Sequence, residues 1–325
     1  MQCVLADGSI VVAKADNEHA DLWWALQGGG NSFAIVTRFD LQTFYDPTPF
    51  IAEASYGSGR SVRDAFLEAV LDFTTDPDAD PYAAITPIAR WGPNYTEAEY
   101  HSTLFYNGTA LPSSGPFAEF VNDTTSKLPA DDGSSAMARL PLAIYGSGAI
   151  PAFRAGGESY GLRQKFRVIN AKATSETISI IHDTYFEVLN STGIANRIDQ
   201  FFTGLAFNPV TTRLAEACKG SPYDIPIEPA FWTEQSITWA SEEDDAAIEA
   251  FLAEVDSKID QKLREVDGIS DFIFLNDADK GQKVFESYGS SNLHRLQDIR
   301  AKYDPQRVYT DLMPGGFKVA HAHIE

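Results

Sequence analysis

The chain has 325 residues, 44% of them hydrophobic and 22% charged, which is enough to bury one large core or two medium ones. Asp and Glu number 46 against 25 Lys and Arg, a formal charge of −21 that repels phosphate backbones and anionic lipid surfaces, so nucleic acid and membrane are not expected as partners. An anionic ligand must then be held locally by backbone N–H groups at close approach, which directs attention to the glycines.

Two β-branched runs around Asp7-Gly8, over residues 3–12, predict a tight hairpin almost at the first residue. An isolated hairpin is marginal in water, so further strands or a helix must cover it, and part of its cover is expected to lie upstream. Residues 18–26 predict a short helix with acidic residues at its start and Leu22, Trp23 and Leu26 near one face, ending in Gly28-Gly29-Gly30. An apolar, β-rich strand is expected over 33–41. Asp46-Pro47-Thr48-Pro49 then breaks the pattern and places a domain boundary.

Beyond it, strands are expected at 50–56, 82–90, 100–106, 197–207 and 236–239, and helices at 61–73, around 117–124 and at 175–189. A long helix follows from Ser241 to about Glu265, where Ser241 and Asp244 resemble a capping box and the acidic run needs no other role than the positive end of the helix dipole. The tail adds a strand at 271–276 and a helix at 292–302 closed by Asp304-Pro305. This irregular alternation is not a βαβ series; it predicts an α+β fold whose antiparallel sheet is covered by helices on one face.

Little else in the chain carries chemistry. Cys3 and Cys218 are too few for a disulfide framework and read as buried thiols, although one bridge between them is allowed. Asp76, Asp78 and Asp80 alternate as in a calcium loop, but Pro77, Pro81 and the missing central Gly and terminal Glu make them a solvated turn. His321 and His323 read as tail residues, so no metal is expected. There is no Gly-x-Ser-x-Gly elbow for a serine hydrolase. No membrane span or targeting segment is evident. Sequons at Asn94, Asn107, Asn122 and Asn190 suggest a secreted protein whose signal peptide would lie upstream.

Two stretches together resemble a known family. The first is Leu5-Ala6-Asp7-Gly8-Ser9 followed by the run from Asp21 through Gly28-Gly29-Gly30-Asn31 to Thr37. The second is Phe274-Leu275-Asn276 followed by Ser287-Tyr288-Gly289, Asn292-Leu293, Arg295-Leu296 and the run 302–309. In order and spacing they are similar to FAD-linked oxidoreductases with a PCMH-type FAD-binding domain and a berberine-bridge-enzyme-like C-terminus.

The resemblance implies FAD as cofactor, a small-molecule substrate of alcohol, sugar or amine type, and oxygen as electron acceptor. It implies that Gly28, Gly29, Gly30 and Asn31, with the backbone of Ala34, Ile35 and Val36, line the phosphate and adenosine region, and that Asn276 lies close to the flavin. Glycines suit this because no Cβ keeps the chain from the diphosphate. For Gly28 alone, a plain helix C-cap is the competing reading, and for Asn276 a strand end. The Gly segment follows a helix and precedes a strand, so neither a P-loop nor a Rossmann motif fits.

Phe274 stands where many relatives carry a tyrosine near the flavin, and phenylalanine accepts no proton, so no catalytic base is assigned. The family's upstream lobe, with its further phosphate loop and often a flavin-linked histidine, has no counterpart. The expectation is a truncated member: residues 1–46 the end of the FAD-binding domain, 47–270 an antiparallel-sheet substrate domain, and 271–325 a segment returning to the first. The rival expectation is a non-catalytic fragment acting as a binding or structural module.

Overall fold

The computed structural model describes residues 1–43, 48–93, 95–121, 126–128, 130, 134–149 and 160–323. The chain divides into two units, one made of Met1–Phe44, Arg213–Ile227 and Asp271–Glu325, the other of Tyr45–Thr212 and Glu228–Ser270. The boundary expected at Asp46 falls on residues 44–47, outside those described. The short return of 213–227 to the first unit was not anticipated.

The first unit begins with the predicted hairpin. β1 (Gln2–Val4) pairs antiparallel with β2 (Ile10–Val12). Gly8 turns the chain at φ +83°, and the Asp7 carboxylate accepts from the Ser9 N–H at 2.9 Å and the Ser9 hydroxyl at 2.6 Å. A side chain that bonds its own backbone two residues on is what makes Asp-Gly a turn. α1 (Ala20–Ala25) follows, then β3 (Ile35–Arg38), which pairs with β1 and completes a sheet in the order β2-β1-β3.

The second unit is built on a seven-stranded sheet in the order β7-β4-β6-β5-β9-β10-β8, every pairing antiparallel. Its elements are β4 (Phe50–Ser58), α2 (Arg60–Thr75), β5 (Ala83–Trp91), β6 (Glu99–Tyr106), α3 (Ala118–Val121), β7 (Ala138–Arg139), α4 (Leu142–Ala149), β8 (Arg163–Lys172), α5 (Ser175–Thr192), β9 (Phe202–Val210), β10 (Ala230–Trp239) and α7 (Asp245–Glu265). Between β9 and β10 the chain contributes α6 (Thr212–Cys218), mostly to the first unit, which also holds α8 (Ser290–Tyr303).

β6 and β10 alternate buried and half-buried residues along their length, the period-2 signature of a sheet covered on one face. Phe66 and Val70 of α2, Ile181 and Tyr185 of α5 and Phe251 and Val255 of α7 bury against Leu104, Leu205, Phe231 and Ile237 of that face. α5 starts on a reciprocal capping box between Thr174 and Thr177 and stops at Gly193 in the left-handed region.

Three sequence expectations shift. No strand forms over 271–276: with no neighbouring strand to pair, the Ile273 N–H is taken by the Ser287 hydroxyl at 3.0 Å, and 275–277 turn. The strand expected from 197 starts at Phe202, after a 3-10 turn at Ile194–Asn196 and a left-handed Gln200. Ser241 caps a short 3-10 turn, accepting from the Glu243 N–H at 3.1 Å, before α7 begins.

Sequence reading missed the short elements β7, α4 and α6, and also the long strand β8, whose apolar pattern is broken by Arg163, Lys165 and Arg167. Those three project toward α7 and pair with Asp245, Glu249 and Asp256. An edge strand carrying a row of charge in this way is blunted against pairing with another chain, and the acidic residues of α7 thereby gain partners.

Candidate functional site

In the first unit, α1 is anchored before it releases the Gly segment. The Asp21 carboxylate accepts from the Lys302 ammonium at 2.6 Å and the Tyr303 hydroxyl at 2.7 Å, which ties α1 to α8. The Trp24 indole N–H donates to the Gly220 carbonyl at 2.7 Å, and Arg295 stacks 3.8 Å above the Trp24 ring. The helix then ends as glycines allow: the Gly29 N–H reaches back to the Ala25 carbonyl at 2.8 Å, and Gly30 turns the chain at φ +61°.

Much of the demand for glycine here comes from the protein itself. A Cβ on Gly28 would lie 2.7 Å from the Tyr223 ring, and one on Gly29 would lie 2.3 Å from the Phe33 ring and 2.8 Å from the Ala25 carbonyl oxygen. Gly29 is buried, whereas Gly30 is exposed and has room around it. Only Gly30 therefore offers bare backbone at the surface of the turn, and it does so in a conformation that disfavours any residue with a Cβ.

The turn is bound to the C-terminal stretch of the same unit. The Tyr288 hydroxyl donates to the Gly28 carbonyl at 3.2 Å, and Leu275 comes within 3.6 Å of where a Gly30 Cβ would sit. Burial raises the Tyr288 pKa, so this phenol remains a proton-bearing donor rather than a base. The exposed Asn276 follows Leu275 in its turn, and so Gly30 and Asn276 belong to one neighbourhood although 246 residues separate them in sequence. Phe274 is half-buried just before that turn.

Asn31 is more constrained than the sequence suggested. Its amide nitrogen donates to the Gly315 carbonyl at 3.4 Å and contacts Met313 Sδ at 3.6 Å, while its oxygen accepts from Lys318 Nζ at 2.8 Å. Behind it, buried Ser32 accepts from the Val319 N–H at 3.1 Å. Ala34 is buried, Ile35 exposed and Val36 half-buried, all in or beside β3, which pairs with β1 on one side only. Lys318 and the Gly315-Gly316 pair escaped sequence reasoning. The signal was present as a second glycine run, after Pro314 and before a lysine.

The second unit offers a separate surface. On the sheet face not covered by α2, α5 and α7, a cavity of about 570 Å³ is lined by Pro93, Leu162, Gln164, Phe166, Phe202 and Glu234 among others. That volume lies in the range of small-molecule pockets, roughly 300–1,000 Å³. Phe166 is 44% exposed there, a large aromatic left uncovered on a sheet.

A second cavity, of about 410 Å³, borders α2 and α5. Its polar walls are engaged with one another: Arg63 binds Asp183 at 2.6 Å and Asp64 at 2.8 Å, His182 Nδ1 meets Asp183 at 2.8 Å, and the Tyr100 hydroxyl meets His182 Nε2 at 2.9 Å. Burial lowers the His182 pKa. The ring is then neutral, with Nδ1–H donated to Asp183 and Nε2 accepting from Tyr100.

The other candidate groups have local roles. Asp76 and Asp80 each accept from a backbone N–H two residues on, at 2.9 Å, as turn residues do. Cys3 and Cys218 are free thiols. Of the sequons, Asn190 is exposed and Asn107 half-buried, while Asn94 and Asn122 lie outside the described residues. Among the described residues, no helix is long and apolar enough to cross a membrane.

Residues 272–311 match the family model "Berberine and berberine like". The chain is 26% identical over 332 residues to the FAD-dependent monooxygenase prx3 of Penicillium roqueforti, covering 99% of itself and 62% of that relative. It is 26% identical over 330 residues to the bifunctional solanapyrone synthase of Alternaria solani, covering 98% of itself and 58% of the relative. Among solved structures it resembles the xylooligosaccharide oxidase of Myceliophthora thermophila C1, with TM-score 0.66, 18% identity and coverage of 97% and 66%. It also resembles BBE-like 1 of Physcomitrella patens, with TM-score 0.67, 14% identity and coverage of 94% and 62%. The chain therefore spans somewhat under two thirds of these relatives' lengths, has their fold over that part, and is similar in sequence to FAD-dependent oxidoreductases and, over residues 272–311, to the berberine-like C-terminus.

Proposed function

We propose that this chain forms the substrate-domain and C-terminal part of an FAD-dependent oxidoreductase that oxidises a small alcohol, sugar or amine. The observation that carries the reading is the convergence, in one unit, of the Gly28–Asn31 turn with the turn bearing Asn276. Bound FAD supplies the redox chemistry, taking a hydride from a C–H bond beside the heteroatom, with oxygen as the final acceptor.

The residues fit such a group. Gly30 presents backbone without a side chain, Ile35 and Val36 lie on a strand paired on one side only, and the exposed Asn276 carboxamide can donate and accept at once. Gly28, Gly29 and Ala34 hold the shape of this cradle from beneath rather than touching the ligand. Asn31 fixes the turn to the tail through its own amide. Phe274 contributes packing and no proton transfer.

The open sheet face of the second unit supplies the substrate surface, with Phe166 and Phe202 as apolar walls and Gln164 and Glu234 as polar contacts. An aromatic wall with a few polar groups suits a ring-bearing, hydroxylated molecule.

The test is reconstitution. Purified chain is mixed with FAD, freed of excess ligand, and examined for a retained flavin absorption band and quenched flavin fluorescence. Anaerobic bleaching by candidate alcohols, sugars and amines then identifies the substrate, and peroxide on readmitting air identifies the acceptor. A colourless protein that leaves added FAD fluorescence unchanged supports instead a non-catalytic binding or structural module.

A further inference from the structure

The chain carries −21 overall, yet the wall of one cavity in its first unit holds two lysines and a histidine against a single carboxylate. This cavity, about 210 Å³, is lined by Lys280, Lys318 and His321, with Glu286, Gly316 and Phe317. It is too small for a whole dinucleotide, since pockets that take drug-sized molecules start at roughly 300 Å³. A single phosphoryl group is a better match.

Lys318 is the unusual member. Lysine is almost never fully buried unless paired, yet this residue is only 8% exposed. Its hydrogen bond among the described residues goes to the neutral Asn31 amide oxygen at 2.8 Å, and no carboxylate lies within ion-pair distance among them. Asp304 acts on it only at longer range, and that carboxylate is already engaged by the Val308 and Tyr309 N–H groups at 2.6 and 2.9 Å. Burial accordingly lowers the Lys318 pKa. A buried cation with no carboxylate in ion-pair contact is costly to keep, and an incoming anion lowers the penalty.

Its place in the chain links the cavity to the cofactor cradle. Asn31, whose amide oxygen accepts the hydrogen bond from Lys318, follows directly on Gly30, and Gly316 of the cavity wall lies against the same amide, with its Cβ position 3.1 Å from Asn31. Glu286 is the opposing charge in the wall; its Oε1 already accepts from the His323 N–H at 3.1 Å.

We propose that Lys318, with Lys280 and His321, forms a phosphoryl-anion site adjoining the Gly30–Asn31 turn, and that the group it takes is one phosphoryl of the FAD diphosphate. The assignment to FAD rests on the function proposed above; the anion site itself does not. Free inorganic phosphate is the other source of the same chemistry.

The experiment measures binding of FAD, pyrophosphate and inorganic phosphate to the purified chain by calorimetry, with flavin fluorescence as a second readout for FAD. It compares the parent with Lys318→Met, Lys318→Arg and Lys280→Ala. A charge-assisted hydrogen bond in a buried site predicts roughly a tenfold to hundredfold weakening of both FAD and pyrophosphate in Lys318→Met, with partial recovery in Lys318→Arg. Lys280 is exposed, so Lys280→Ala probes the same wall without disturbing the interior, and it should weaken pyrophosphate severalfold even if Lys318→Met fails to fold.

Pyrophosphate should displace FAD from the parent. FAD binding that neither pyrophosphate nor these substitutions alter overturns the proposal and leaves the flavoenzyme reading intact. Pyrophosphate binding that depends on Lys280 and Lys318 in a protein that ignores FAD upholds the anion site and defeats the flavoenzyme reading. A parent that binds none of the three anions overturns the proposal.

Discussion

Gly29→Ala separates two reasons for a glycine, ligand approach and internal packing. The added methyl would lie 2.3 Å from Phe33 Cε2 and 2.8 Å from the Ala25 carbonyl oxygen, both under the 3.0 Å that real Cβ atoms respect. Phe33 is fully buried and cannot swing aside freely, and the Ala25 oxygen is already bonded to the Gly29 N–H at 2.8 Å. Overpacking of this kind costs about 1–3 kcal/mol, with the upper half expected because one of the two obstacles is backbone.

Gly30→Ala meets nothing nearer than 3.6 Å and suffers only from φ +61°, a penalty of about 1–2 kcal/mol. Urea unfolding followed by tryptophan fluorescence reports on this region, since Trp23 and Trp24 lie in the helix that feeds the turn. FAD titration of the two variants completes the comparison. A Gly29→Ala protein as stable as the parent within about 0.5 kcal/mol, but defective in FAD binding, would refute the packing argument and return Gly29 to a direct ligand role.

Asp304→Ala should destabilise by about 3 kcal/mol in the same assay, because it strips two backbone N–H groups of a fully buried carboxylate acceptor. The His182 pKa is lowered in the folded chain, so the unfolded chain binds the extra proton first. Its contribution is complete above about pH 6.5 and is lost as pH falls below that, with a slope of at most about 1.4 kcal/mol per pH unit. Asp183, held at about 2 against the opposing effect of burial by bonds from His182 and Arg63, keeps its own contribution until pH falls from about 4 toward 2. Parent and His182→Gln unfolding curves at pH 7.5 and 5 should therefore differ in their pH slopes, and parallel slopes would show that the ring titrates normally. Phe166→Ala, at a half-exposed position, should leave stability within about 0.5 kcal/mol while raising the KM of any substrate found; an unchanged KM would remove Phe166 from the substrate surface.

The local sequence determined what short-range chemistry can determine. Asp7-Gly8 specified a hairpin because a carboxylate and a residue free of Cβ close a turn without outside help. The alternation through Tyr100, Ser102, Leu104 and Tyr106 specified a strand with one buried face, and Ile248, Phe251, Leu252 and Val255 specified a helix lying on such a face. The two family-like stretches were legible for the same reason, since each is a run of neighbours.

Tertiary structure decided whatever depended on partners far along the chain. Residues 271–276 have the composition of a strand but no strand to pair with, and Arg163, Lys165 and Arg167 look like a solvated loop until α7 supplies their carboxylates. Gly28 and Gly29 read as room for a ligand, whereas Tyr223 and Phe33 fill that room. Lys318 drew no attention in the sequence. Its burial beside Asn31, 287 residues away in sequence, follows only from the folded chain, because desolvation depends on every atom that surrounds a charge and the local sequence names few of them.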